Sequence, residues 1–380
     1  MKKQSGTLVK IASRGILVGM LTTSTQVFGF NLISYDGVAA RWGVGKNIEI
    51  EIDTNFHPYV DEDGCDSSGS CVSIYQTVVN SINSWKDVSN ADVKLSKITT
   101  KSISGTPHYD GVNQIKVYTS GWNDLPFNPP ASALAVTIST YKDPNEIIDS
   151  DIFFNAENFG WAVINTDEEN NVYDIQNVLT HELGHFLGLD HTSENASENE
   201  AAYFDATMFY ASRPGETFRR SLENQDVLGI QHLYTSIDLP EPTVGEISPS
   251  VLDIDSNTET IEIFGNDFYP TASVILVRNN NLGDISARVI SVESDRIVAK
   301  IPANNLQSGT YEVVVANSYD KFVRLQDGVE VNNPYVYGTY DQDSHASSSG
   351  GGCQSDEASG LMLLALPLLG MMIIRRTRLA

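Results

Sequence analysis

The chain has 380 residues and a formal charge of −25, from 49 acidic against 24 basic side chains. That balance excludes nucleic acid as a partner, because a phosphate backbone is bound by the opposite sign, and it fits a soluble protein outside the cytoplasm. The pattern along the chain divides the body into two domains, set between address segments at either end.

At the start, Lys2, Lys3, Lys10 and Arg14 precede the apolar run ILVGML, and small or neutral residues follow to Gly29. This reads as a secretory signal peptide over 1–29, with cleavage near Val27-Phe28-Gly29. The protein is therefore expected to pass the inner membrane and to reach the cell surface or the medium. The first domain is expected over 30–238, with its regular pattern beginning near Trp42. NIEIEID (47–53) alternates apolar and polar residues as a half-buried strand does. Cys65 and Cys71 bracket the turn-rich DSSGS, and a small local disulfide is expected. The same stretch supplies Asp61, Glu62, Asp63 and Asp66, hard oxygen ligands for a calcium loop but without EF-hand spacing, so calcium stays open as a rival reading. A helix follows, with Val72, Tyr75, Val79, Ile82 and Trp85 as its buried stripe. IKVYTS, ALAVTIST and DIFFN read as strands. Asp174 then caps a helix that carries Ile175, Val178 and Leu179 inward.

That helix carries HELGHFLGLDH, from His181 to His191. His181 and His185 stand four residues apart on one face, so both rings reach one ion, with Glu182 beside them. Gly188 accepts the left-handed conformation that ends a helix, and the turn brings His191 round as third ligand. Three neutral nitrogens leave a fourth position for water, the arrangement of a zinc hydrolase with one catalytic ion. His57, His108, His232 and His345 have no ligand spacing and read as ordinary residues. A closing helix is expected over Ser221 to Tyr234. Strands with one helix, then a ligand-bearing helix, make an α+β domain, a mixed twisted sheet with a cleft across it.

The motif resembles the signature of the metzincin metalloproteases, HExxHxxGxxH followed by a methionine turn. The resemblance implies that Met208, in DATMFY, forms an apolar floor beneath the three histidines. Thr192, GLDH and NQDVLGIQHLY (224–234) are similar to the matrixins, over roughly Trp42 to Tyr234. The likeness implies a peptidase that pairs ALAVTIST with extended protein or peptide substrates. It departs from the matrixins in three respects. Tyr210 stands two residues after Met208, similar to astacins and serralysins, which implies a tyrosine that ligates zinc or steadies the transition state. The strands before the ligand helix lack histidine, so no structural zinc is expected. No cysteine-switch propeptide is expected.

LPEPTVGEISPS (239–250) interrupts the pattern. Over 240–332, TIEIFG, ASVILV, RIVAKIP and TYEVVVAN alternate or run apolar between turns, as in an all-β sandwich. EISPS, IEIFGNDF and GTYEVVVAN are similar to the IPT/TIG immunoglobulin-like domain, which implies a spacer or binding module. Residues 333–352 are polar and Ser/Gly-rich, suiting a flexible tether. In 353–380, Cys353 precedes LMLLALPLLGMMII and then Arg375, Arg376 and Arg378. This order resembles bacterial C-terminal sorting signals of the MYXO-CTERM and GlyGly-CTERM type, with Cys353 as processing or anchoring residue and the tail in the membrane until it is cut. The apolar run, roughly 15 residues or about 22 Å as a helix, is short for a full span. The expectation is thus a monomeric zinc endopeptidase outside the cell. The reading from another class is a surface adhesion protein with a vestigial protease fold.

Overall fold

The structure is a computed structural model that describes residues 29–56, 74–106, 109–142, 145–164, 171–254, 258–277, 284–302, 306–333 and 354–355. Its first half is a sheet backed by helices. The strands are β1 (Asn31–Leu32), β2 (Arg41–Trp42), β3 (Ile48–Asp53), β4 (Leu95–Lys101), β5 (Asn113–Tyr118), β6 (Ala135–Lys142) and β7 (Glu146–Asn155). The order β2-β7-β5-β3-β4 is parallel throughout, and β6 runs antiparallel along β7 at the rim. β3 alternates buried and exposed residues before ending in the buried pair Ile52 and Asp53.

Helix α1 (Ile74–Lys86) buries Ile74, Thr77, Val78, Ser81, Ile82 and Trp85. Ile82 and Trp85 lie on the buried face as expected, whereas Tyr75 is exposed, Val79 is only half-buried, and Val72 lies outside the described residues. The true face includes small polar residues because it lies close against the ligand helix α2 (Ile175–Phe186), where Trp85 Nε1 donates to Thr180 O at 2.9 Å. Beyond α2 come β8 (Leu189–Asp190), the short α3 (Ala201–Phe204), β9 (Ala211–Ser212) and α4 (Asn224–Tyr234). α4 begins three residues later than its sequence suggests, because Glu223 and Asp226 form a reciprocal capping box there.

Among the described residues, the second half has no helix. Its strands are β10 (Thr243–Ser248), β11 (Val251–Asp253), β12 (Thr258–Asn266), β13 (Ser273–Val277), β14 (Ile285–Glu293), β15 (Arg296–Pro302), β16 (Gly309–Ser318) and β17 (Lys321–Asn332). They form one sheet, β10-β12-β15-β14-β13-β16-β17-β11, antiparallel except where β11 joins β17, and β10 packs back against β17. One buried hydrophobic cluster runs through both halves. Between them, the Arg41 guanidinium lies 3.7 Å over the Tyr319 ring, and Gly37 N donates to Asp284 Oδ2 at 2.7 Å. His232, one of the histidines without ligand spacing, sits in this junction with Nδ1 2.8 Å from Thr271 O, and burial pushes its pKa down to about 4. A last strand, β18 (Gln354–Ser355), pairs in parallel with β9.

Candidate metal centre

The centre is assembled on α2. Asp174 fixes where the helix starts: its Oδ2 accepts from Asn177 N at 2.7 Å, its Oδ1 accepts from Ile164 N at 2.9 Å, and Arg220 grips the same buried carboxylate through Nε and Nη2. The helix ends at Phe186, and Gly188 turns the chain with φ +105°. A Cβ there would lie 2.2 Å from Ala40 O, so the turn admits only glycine on both counts.

The turn brings His191 to His181 and His185. His185 Nε2 lies 3.1 Å from His181 Nε2 and 3.2 Å from His191 Nε2. The outward nitrogens are all engaged: His181 Nδ1 is 2.7 Å from Thr207 O, His185 Nδ1 is 2.9 Å from Leu189 O, and His191 Nδ1 is 3.3 Å from Glu194 Oε1. A carbonyl only accepts, so the first two rings carry their proton on Nδ1 and turn an Nε2 lone pair inward. Burial, reinforced by the neighbouring rings, pushes His181 and His185 well below the usual histidine range. Burial also lowers His191, but Glu194, Asp190 and Glu182 outweigh it and raise that ring. Lone pairs converging at this distance repel one another unless a cation joins them. Zinc bound tetrahedrally at ~2.0–2.1 Å sets its nitrogens about 3.3 Å apart, so the donor set fits that ion. Among the described residues this is the one such group of metal-ligating side chains.

Glu182 is fully buried beside the triad, and Thr137 of β6 donates to its Oε2 at 2.6 Å while lying 3.1 Å from its carbonyl oxygen. Met208 lies under α2 with 1% of its surface exposed, and a Cβ on Gly184 would approach its Sδ to 2.1 Å. The turn that holds it is hung from α4: Thr207 N and Met208 N donate to the two oxygens of Asp226, at 2.8 and 3.0 Å. Burial lifts the Asp226 carboxyl to about 6 against these donors. Tyr210 is half-buried with its ring edge-on to His191, centroids 6.4 Å apart. β9 follows it directly, and the backbone of Gln354–Ser355 is paired to this wall.

Sequence reasoning did not single out Thr137 or Asp226. The first reaches Glu182 across 45 residues. The second carries a signal, its place at the third position of a capping box, hidden by the misplaced start of α4. Cys65, Cys71, the acidic residues 61–66, His57, His108, His345, Cys353, the segment 1–28 and the tail 356–380 lie outside the described residues. The loop 119–134 before β6 is held by Trp122, Leu125 and Phe127 packed with Phe153, the Phe127 and Phe153 rings stacked at 5.1 Å. Beside that cluster, Asp149 and Asp151 are buried on β7, and one oxygen of each, with Gln114 Oε1, has no hydrogen-bond partner among the described residues.

Residues 75–235 match the family model for matrixin, which supports a metalloprotease domain over this stretch. Among curated proteins, the chain is similar to stromelysin-3 of Homo sapiens, 28% identical over 181 residues, which is 47% of this chain and 30% of the relative. It is similar to stromelysin-3 of Mus musculus, 27% identical over 194 residues, or 50% of this chain and 32% of the relative. The chain thus spans about a third of the length of the curated relatives it matches. Among solved structures, a structural-genomics protein of unknown function from Bacteroides thetaiotaomicron is 16% identical, with a TM-score of 0.21 over 24% of this chain and 22% of that one.

Proposed function

We propose that the chain is a zinc endopeptidase of the exported kind, monomeric, cleaving unfolded segments or loops of extracellular proteins. The observation that carries this is the convergence of three Nε2 nitrogens beside a buried carboxylate, within a stretch that matches the matrixin model. His181, His185 and His191 would hold the ion. When bound, zinc supplies Lewis acidity, polarising a carbonyl and making water more acidic. Glu182 takes the proton from the attacking water and delivers it to the leaving amine. Thr137 holds the carboxylate for both transfers, since a hydrogen bond to an ionised group fixes its orientation strongly. Met208 and the Asp226-held turn keep His181 in place through Thr207 O. Tyr210 stands at the wall, where its hydroxyl would donate to the developing oxyanion.

β6 supports the substrate class. It has β7 as its only strand partner among the described residues, so its outer edge offers backbone donors and acceptors to an extended peptide. The curled all-β half is proposed as an IPT/TIG-like module, with export directed by 1–29 and sorting by 353–380. The test is cleavage of unfolded casein by the full-length protein, with and without a zinc chelator. Glu182→Gln is expected to keep zinc and lose cleavage, and Tyr210→Phe to lower turnover more than substrate affinity. Cleavage by E182Q at the wild-type rate would refute the mechanism.

A further inference from the structure

The two halves meet at a place that bears on the centre. Arg288, on β14 of the all-β half, donates from Nη2 to Glu198 Oε2 at 2.6 Å, and its guanidinium lies 3.6 Å over the ring of Tyr203. Glu200 stands at 4.0 Å from its Nη1. Both main contacts lead back to the residues next to His191. The oxygen of Glu198 that Arg288 grips also accepts from Ser193 Oγ at 2.9 Å. Tyr203, fully buried, accepts at its carbonyl from Thr192 Oγ1 at 3.3 Å. Thr192 N in turn donates to Met208 O at 2.9 Å, and Ser193 O accepts from Tyr210 N at 3.3 Å. Burial pushes the Glu198 carboxyl up, but Arg288, the Glu200 amide and Ser193 outweigh it and hold it below the usual range, so the pair is ionised. The Glu198 side chain is only 5% exposed and that of Arg288 26%, so this ion pair is largely shielded from water. Removing one partner of such a pair costs more than breaking an exposed one, because it leaves the other charge shielded and uncompensated.

We propose that Arg288 is a positioning residue for the third metal ligand: the all-β half braces residues 192–203, and through them His191 and the turn under the centre. The inference rests on the metal-centre reading above, and it makes the second half a working part of the peptidase rather than a spacer. Outer groups that orient a metal ligand commonly change affinity about 10- to 100-fold when removed.

The experiment is competition for zinc between a chelator of known affinity and the full-length protein, as wild type, Arg288→Ala, Arg288→Lys, Glu198→Gln and the double variant R288A/E198Q. R288A and E198Q are each expected to bind zinc about 10-fold more weakly and to release it faster. R288K is expected to restore most of the loss, because it keeps the charge at Glu198. The double variant is expected to be no weaker than either single one, since both cut the same link. Folded R288A with wild-type zinc affinity, or losses that simply add in the double variant, would overturn the proposal. Should R288A not fold, E198Q and R288K decide it: E198Q must weaken zinc binding and R288K must not, and the opposite pattern overturns it. Because the readout is zinc binding, a wild type that binds zinc yet cleaves no casein refutes the peptidase reading while leaving Arg288 tested.

Discussion

Thr137 fixes the orientation of the Glu182 carboxylate. Its hydroxyl lies 2.6 Å from one carboxylate oxygen, and hydrogen bonds to charged groups contribute about 1.5–3 kcal/mol, equivalent to roughly 10- to 100-fold in rate if expressed only in the transition state. Thr137→Val, nearly isosteric, is expected to lower kcat at least about 10-fold with KM little changed, and Thr137→Ser to recover it. Steady-state kinetics on a casein-derived peptide check this; an unchanged kcat in T137V contradicts it. A second residue-scale consequence lies at Asp151, whose carboxyl is pushed up to about 9, first by burial and then by Asp149. The folded state therefore binds this proton more tightly than the unfolded chain. The stability it brings is complete below the ordinary carboxylate pKa of ~3.9 and is lost progressively as pH rises towards 9. Asp151→Asn, which retains an acceptor for Gln114 N, is expected to melt well above wild type at pH 8 and close to it at pH 4. Melting curves in buffer free of added calcium decide; equal melting temperatures at pH 8 would count against it. The ligand triad itself was legible in the sequence, since a spacing of four on a helix fixes two rings and Gly188 the third. Thr137 was not, because its partner depends on the register of β6 against α2, which local pattern does not carry.

At the scale of elements, helix packing is set as much by what is missing as by what is buried. Gly184 sits in α2 where an added Cβ would lie 2.1 Å from Met208 Sδ and 3.0 Å from Trp85. Alanine would gain about 1 kcal/mol of helix propensity over glycine, but forcing a methyl into a filled core costs about 1–3 kcal/mol. Steric cost wins here, because the clash is with the methionine under the ligands. Gly184→Ala is therefore expected to lower the melting temperature and loosen zinc, as seen by thermal unfolding with and without chelator; a rise in melting temperature would show that Met208 can move without consequence. The strand patterns of β3, β5, β6 and β7 and the cap at Asp174 could be read directly from the chain. The phase of α1 could not: IYQTVV offers apolar residues in two adjacent registers, and Ile74 and Val78 rather than Tyr75 and Val79 share the face on which Ser81 Oγ donates to Gln176 O of α2 at 3.4 Å.

For the whole molecule, a boundary after α4 was visible in its prolines, but not how closely the two halves join. Alternating strands say that a sheet has a buried face; they are silent on a single arginine that leaves the sheet to reach the other half. Arg288, Arg41 over Tyr319, and His232 against Thr271 all lie outside any motif, and together with the shared core they make the halves one packed body. The centre depends on that body from below through Asp226 and from the side through residues 192–203. The three imidazoles are expected to hold one zinc ion. X-ray absorption at the zinc edge, with metal content measured on the purified full-length protein, tests it most directly. One zinc per chain is expected, with three imidazole nitrogens at ~2.0–2.1 Å and a remaining light-atom ligand, and the ion is expected to be lost in a His185→Ala variant. A protein that is folded but takes up no zinc, or whose zinc survives H185A unchanged, would contradict it.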